Sequence, residues 1–167
     1  MDGIKCAESK YLVSRSNDID FGWSGIGQHN DLVNPFQYLT FMGGIANKGK
    51  SINPYLIKKI TSPEGFTIKT ATVEEKRLMD EKNADILTKM MRNNVKKNYG
   101  DHRFSGLEVC GKTGTAEVGD KSTPHSWFVG FCDNPDTPYA FTVIVENAGA
   151  GNGAATKIAS TVLKKLK

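Results

Sequence analysis

Residues 106–132 read "GLEVCGKTGTAEVGDKSTPHSWFVGFC" and contain two overlapping motifs that imply different folds. Gly106 to Thr113 satisfy the phosphate-loop pattern G-x-x-x-x-G-K-[ST]. The tetrapeptide "KTGT", Lys112 to Thr115, is instead a motif of enzymes that transfer acyl groups. Both patterns use Lys112 and Thr113, so at most one of them describes the site.

The surroundings of Gly106 do not favour a phosphate loop. Such a loop follows a buried strand and leads directly into a helix, whose free N–H groups meet the phosphates. Here the preceding residues, "NYGDHRFS", are polar, and "LEVC" between the two glycines is typical of a strand. The glycines and proline of "GTAEVGDKSTPHS" do not continue a helix after Thr113. We therefore predict that this stretch binds no nucleotide.

The same stretch is better explained as a strand at the edge of a sheet. Gly111 and Gly114 are poor strand residues unless something approaches the backbone closely, and an extended peptide laid along the edge would do so. Lys112 supplies positive charge, and Thr113 and Thr115 supply hydroxyl donors. We predict that Lys112, Thr113, Gly114 and Thr115 bind a substrate carboxylate, while a backbone N–H at the strand's end assists an oxyanion.

The elements around this strand predict an α+β fold. A three-stranded antiparallel meander is predicted, and "SPEG" upstream marks the turn of a hairpin. Helices are predicted after Asn34, Asp80 and Asn152, each a residue that caps helices, with Gln37 completing a capping box. Residues 1–33 show no sustained period and are predicted to be mostly loop. The predicted strands run from Leu107 to Val118, from Ser126 to Cys132 and from Tyr139 to Glu146.

Composition excludes several classes of function. The 167 residues amount to about one domain, with 38% hydrophobic and 24% charged residues. The net charge of +4 comes from lysines spread along the chain, so no nucleic-acid partner is predicted. The sequence contains no apolar run of membrane-spanning length, and its start lacks the features of a signal peptide.

The cysteines and histidines indicate neither a disulfide framework nor a metal site. Cys6, Cys110 and Cys132 are widely separated, and the three histidines are equally scattered. We predict no metal and no cofactor. The histidines are His29, His102 and His125.

Three blocks of the sequence resemble the penicillin-binding transpeptidases. The stretch "GKTGTAEVGDKSTPHSWFVGF" resembles the family's third motif and the strand after it. The stretch "IGQHNDLVNPFQYLTFMGGIANKGKSINPYLI" resembles an upstream region in which a Gly-Gln turn precedes a helix opening Thr-Pro-Leu-Gln. The stretch "VIVENAGAGNGAA" resembles the family's C-terminal end. The resemblance is strongest to the class B, monofunctional enzymes and covers residues 19–167 in order.

The resemblance implies a fold and a function. Residues 19–167 would form the C-terminal part of the serine β-lactamase/transpeptidase fold, and residues 1–18 stay an unassigned segment or a join. The activity implied is D,D-transpeptidation of peptidoglycan stem peptides through a serine acyl-enzyme, and the enzyme implied is a target of β-lactams. The implied parent protein is anchored to the cytoplasmic membrane and has an extracytoplasmic domain.

The serine that starts this chemistry is absent from the chain. None of its serines has a lysine three residues later, so no S-x-x-K motif occurs and no catalytic residue is predicted. The S-x-N motif of Ser51 to Asn53 lies where the family has no catalytic residue, and Cys110 is interpreted as a packing thiol. The chain is expected to be inactive alone and to self-associate through an apolar surface that its missing N-terminal half would cover. An alternative is a non-catalytic module that binds stem peptides or a partner.

Overall fold

The computed structural model describes residues 5–13, 17–28, 30–119 and 122–167. A three-stranded antiparallel sheet lies at its centre, in the order β5-β6-β7. Two further pairs of short strands, β1 with β4 and β2 with β3, lie upstream in the chain. The elements are α1 (Asp18–Gly25), α2 (Pro35–Ala46), β1 (Lys50–Ile52), β2 (Lys59–Thr61), β3 (Thr67–Thr70), β4 (Glu75–Arg77), α3 (Glu81–Asn94), β5 (Val109–Ala116), β6 (His125–Cys132), β7 (Ala140–Val145) and α4 (Ala154–Leu166).

Helices cover both faces of the central sheet, and each face has its own apolar cluster. Alternation along the strands directs Val109 and Phe128 toward α4, and Cys110 and Val129 toward α2 and α3. The first cluster includes the α4 residues Ala155, Ala159 and Leu163, and the second includes Met42, Ile45 and Met91. The predicted α+β class, with an antiparallel sheet and packed helices, is confirmed.

Helix α2 begins as its sequence predicts. The Asn34 side chain accepts hydrogen bonds from the backbone N–H groups of Phe36 and Gln37, at 2.8 and 3.4 Å. The capping-box role predicted for Gln37 is wrong, because its Oε1 accepts instead from Ser9 N at 3.0 Å. The helix ends before Gly49, whose φ of +83° is a conformation that glycine tolerates.

Helix α3 is tied to the edge strand β5 by an arginine. The guanidinium of Arg92 donates two hydrogen bonds to the Asp101 carboxylate, at 2.6 and 3.0 Å, and one to Val109 O at 3.2 Å. This pairing lowers the pKa of Asp101 below its usual value. Between Arg92 and Asp101 the chain continues from α3 into a π turn, Val95–Tyr99, which directs the Tyr99 phenol toward β5.

The structure contains one helix that was not predicted, and one predicted helix cap is absent. Helix α1 falls inside the region predicted to be mostly loop, and it begins where the Asn17 side chain accepts from Ile19 N. Helix α4 starts without the Asn152 cap, because that amide donates instead to Asn98 O at 3.1 Å. The hairpin around "SPEG" is present, with a hydrogen bond from Gly65 N to Ser62 O.

Helix α4 carries an apolar stripe that is only half buried; its members are Ala155, Ile158, Ala159, Val162, Leu163 and Leu166. Ala155, Ala159 and Leu163 lie against the sheet and are at most 2% exposed. The other members of the stripe remain 43–49% exposed; they are Ile158, Val162 and Leu166. Part of this helix therefore presents an apolar row to solvent.

Candidate functional site

A cleft of about 520 Å³ lies beside the free edge of β5. Its inner wall is the strand from Lys112 to Ala116 together with Trp127 of β6. The opposite wall comes from the segment between α1 and α2 and from Tyr38 of α2. All four residues predicted to bind a carboxylate line this cleft; they are Lys112, Thr113, Gly114 and Thr115.

The side chains of these residues leave the strand on opposite faces. Lys112 is exposed on the face that carries α2, where its Nζ donates to Thr113 O at 2.6 Å. Thr113 and Thr115 point to the α4 face, where Thr113 Oγ1 is 3.2 Å from the Tyr99 hydroxyl. Thr115 Oγ1 accepts a hydrogen bond from Gly151 N at 3.1 Å. A ligand carboxylate that met both Lys112 and Thr115 would therefore lie across the strand's edge.

Side chains of the protein itself occupy part of this edge. Gln28 Nε2 donates to Thr115 O at 3.0 Å, and Lys112 Nζ donates to Thr113 O. An extended ligand that paired with β5 would exchange these contacts for its own N–H groups. Since an ammonium has three donors, Lys112 keeps donors for a carboxylate while bonded to the backbone.

The fold itself gives a reason for each of the two glycines in β5, beside the ligand approach predicted from the sequence. A Cβ on Gly111 would lie 2.6 Å from the Phe128 ring, and a Cβ on Gly114 would lie 3.2 Å from the Trp127 side chain. A Cβ on Gly151 would lie only 2.3 Å from Gly114 O, so two backbones touch here. The protein's own core and loop therefore already approach both glycines closely.

The wall opposite the strand carries a carboxylate with an unsatisfied oxygen. Ser24 Oγ donates to Asp31 Oδ2 at 2.6 Å, while the buried Asp31 Oδ1 has no hydrogen-bond partner. In the same cleft, Tyr38 packs on Trp127 with ring centroids 6.4 Å apart, and burial raises the pKa of Tyr38. The cleft is thus acidic on one wall and basic on the other, and each wall carries one of the two aromatic rings.

The remaining candidates from the sequence lie elsewhere. His125 does not line the cleft: its Nδ1 accepts from Asn147 N at 3.0 Å and fixes the loop after β7. Ser51 and Asn53 bond to Thr40 O and the Glu74 carboxylate, away from β5. The phosphate-loop interpretation is not supported, because Val109–Ala116 is a continuous strand. His29 lies outside the described residues.

Sequence reasoning missed several residues of the site. Gln28 and Asp31 lay within the block that resembles the family, but nothing local in the sequence pairs them with β5. Tyr99 and Gly151 reach the strand from 14 and 36 positions away. Contacts over such separations leave no short-range pattern.

Cys110 is a buried packing thiol, as its sequence position indicated. It is 0% exposed, and burial, followed by the nearby Asp133 charge, raises its pKa to about 12. Burial also raises the pKa of Cys132. A thiolate is the reactive form, so neither thiol suits a nucleophile.

We expect only one of the three thiols to react in the folded chain. Cys6 is exposed, whereas Cys110 and Cys132 are buried. Titration with an aromatic disulfide reagent at neutral pH should modify Cys6 at once, and all three cysteines after unfolding in guanidinium. Rapid native modification of Cys110, located by peptide mass mapping, would contradict the packing-thiol assignment.

The chain matches one protein family and is similar in sequence to several known proteins. A family described as "Penicillin binding protein transpeptidase domain" matches residues 4–164. The peptidoglycan D,D-transpeptidase PbpA of Mycolicibacterium smegmatis is 33% identical over 132 residues, which are 77% of this chain and 27% of that protein. Penicillin-binding protein 3 of Bacillus subtilis is 28% identical over 146 residues, covering 83% of this chain and 21% of that protein.

Solved structures share the fold as well. Penicillin-binding protein A from Mycobacterium tuberculosis, as a ceftriaxone acyl-enzyme complex, superposes with a TM-score of 0.86 at 26% identity. That match covers 96% of this chain and 38% of the other. PBP2 of Pseudomonas aeruginosa, in complex with WCK 5153, gives a TM-score of 0.67 at 31% identity over 84% and 31% of the two chains. The chain thus spans about a quarter of the length of the PbpA relatives it matches.

Proposed function

Because the chain belongs to the family of penicillin-binding protein transpeptidase domains, we propose that it supplies one wall of a peptidoglycan D,D-transpeptidase active site. The parent protein would be a class B enzyme that cross-links stem peptides through a serine acyl-enzyme. This wall is β5, and it recognises the carboxylate of a stem peptide or of a β-lactam. The observation that carries the proposal is the edge of β5, where Lys112, Thr113, Gly114 and Thr115 line one cleft.

Each group on the edge has a distinct task in this proposal. The Lys112 ammonium supplies a charge-assisted hydrogen bond to the carboxylate. The Thr115 hydroxyl donates a second hydrogen bond to the carboxylate, because its oxygen already accepts from Gly151 N. The backbone of β5 aligns the peptide when the ligand replaces the Gln28 amide at Thr115 O. The relatives whose titles name acyl-enzyme complexes support the β-lactam part of the proposal.

The acylating serine lies outside this sequence, so the proposal predicts no covalent chemistry from the chain alone. After incubation with a fluorescent penicillin, intact-mass analysis should show the unmodified mass. The positive control is a full-length relative that forms an acyl-enzyme. A stoichiometric adduct on this chain would contradict the assignment, and peptide mapping would identify the nucleophile.

We also propose that the chain self-associates or binds the N-terminal half of its domain through exposed apolar surface. The exposed row of α4 and the outer edge of β7 support this, since β6 is the only strand paired with β7 among the described residues. Size-exclusion chromatography with light scattering should show a mass that rises with concentration. A monodisperse monomer at high concentration would argue against such a surface.

The proposed location of the parent protein is the cell envelope, where peptidoglycan is made. The PbpA relatives are peptidoglycan D,D-transpeptidases by name, which supports that location and leaves membrane anchoring of the parent as a proposal. Within the part of the chain that the structure describes, no helix has the length and apolar character to cross a membrane. The division of the chain into an unassigned segment, residues 1–18, and a transpeptidase part, residues 19–167, is also a proposal.

A further inference from the structure

A buried hydroxyl lies behind the candidate site and has no task in the function proposed above. Ser126 of β6 is 0% exposed and lies directly opposite Thr115 of β5. Its Oγ can donate to Ala150 O at 3.0 Å and to Gly151 O at 3.4 Å, and it accepts a hydrogen bond from Ala155 N at 3.2 Å. Because a buried polar group is costly to leave unpaired, these bonds hold their backbone partners in place.

Ser126 supplies the cap that helix α4 lacks in its own sequence. Gly153 occupies the cap position and has no side chain to accept a hydrogen bond. The Ala155 N–H is one of the first-turn donors that a helix leaves without an internal partner, and Ser126 satisfies it from the neighbouring strand. The hydroxyl therefore joins the first turn of α4 to the loop that precedes it.

That loop reaches the candidate site through Gly151. Gly151 N donates to Thr115 Oγ1 at 3.1 Å, and Gly151 O accepts from the buried Thr156 hydroxyl at 3.1 Å. The backbones of Gly151 and Gly114 are in contact, as the 2.3 Å approach of a Cβ on Gly151 to Gly114 O shows. A shift of this loop would therefore directly displace the edge of β5.

We propose that Ser126 is a positioning residue for ligand recognition, acting through Gly151 on the hydroxyl of Thr115. This inference rests on the carboxylate-binding role proposed for β5. With the Gly151 N–H on its oxygen, Thr115 has its proton left to donate to a ligand acceptor. Without the Ser126 hydroxyl, the loop relaxes and the Thr115 hydroxyl loses this fixed orientation. Binding of a carboxylate then weakens although Ser126 never touches the ligand.

The first test uses NMR on the free, full chain. Ser126→Ala should speed hydrogen exchange of the Gly151 amide about tenfold, which corresponds to about 1.4 kcal/mol, and should shift the Thr115 Cβ resonance. Ser160→Ala is the matched control, since Ser160 on the same helix donates to Arg103 O at 2.8 Å, far from the loop. It should change neither signal. Unaltered Gly151 exchange and Thr115 resonances in Ser126→Ala would overturn the proposal.

The second test separates positioning from general destabilisation. The chain and both variants are titrated with N-acetyl-D-Ala-D-Ala and with its C-terminal amide. Ser126→Ala should weaken binding of the acid about threefold and leave the amide unaffected, whereas Ser160→Ala should change neither. A preserved preference for the acid in Ser126→Ala would overturn the proposal even if the variant were less stable.

The two tests also separate this inference from the proposed function. If the wild-type chain does not prefer the acid, the carboxylate role of β5 fails and the binding part of the inference fails with it. The Gly151 exchange measurement still decides whether Ser126 positions Thr115. If Ser126→Ala does not fold, Thr156→Val removes the second hydroxyl bond to Gly151, and the same signals decide the outcome.

Discussion

Replacing Gly130 by alanine is expected to lower the free energy of unfolding by about 3 kcal/mol or more, a large share of the roughly 5–15 kcal/mol of an ordinary domain. Gly130 lies in the central strand β6, opposite Gly111 of β5. An added Cβ would lie 2.1 Å from Cys110 O and 2.9 Å from the Gly111 Cα, both backbone atoms. Because these atoms cannot rotate away, the methyl group forces β5 and β6 apart.

A matched control comes from a second glycine with open space around it. Gly22 lies in helix α1, and a Cβ there would have no described neighbour within 4 Å outside the backbone of its own helix and the adjacent residues. Since alanine favours a helix over glycine, Gly22→Ala should be neutral or stabilising by about 1 kcal/mol. Urea denaturation followed by circular dichroism measures both variants. Equal stabilities for Gly130→Ala and the wild type would contradict the tight sheet packing.

Replacing Lys112 by alanine is expected to weaken binding of a D-Ala-D-Ala peptide about tenfold or more, because it removes a charge-assisted hydrogen bond to the carboxylate. The ammonium is exposed and lines the cleft, where it donates a hydrogen bond to Thr113 O. Loss of that one exposed contact should cost little stability. The large effect is therefore expected on binding and not on folding.

Lys69→Ala is the control for nonspecific charge, since Lys69 is an exposed lysine of β3. It removes the same charge from the chain but lies outside the residues that line the cleft. NMR titration of both variants should show weaker binding for Lys112→Ala alone. Equal losses in the two variants would mean that net charge, and not the Lys112 side chain, attracts the peptide.

The sequence predicted the central sheet well because its signals are local. The three strands begin and end within three residues of their predicted positions, since alternating residues and turn residues lie next to each other in the chain. Asn34 caps the start of α2 as predicted, again through contacts of nearby residues. Helix α1 was missed because its two glycines and weak periodicity obscure the Asn17 cap.

The candidate site was predictable only in part. The motif from Lys112 to Thr115 identified the strand, and the strand lines a cleft. The partners of that strand come from distant positions, such as Gln28 and Gly151, and no spacing in the sequence connects them. The neighbours of Gly111 and Gly114 were missed on the same ground, since Phe128 and Gly151 meet them only in the folded chain.

The central claim, that the edge of β5 recognises a carboxylate, is tested most directly by mapping where a peptide binds. The ¹⁵N-labelled wild-type chain is titrated with N-acetyl-D-Ala-D-Ala, and the amide signals are followed. The account predicts saturable shifts concentrated at Lys112 to Ala116 and at Gly151, which the C-terminal amide of the same peptide reproduces only weakly. Shifts centred elsewhere, or equal shifts with acid and amide, would contradict it.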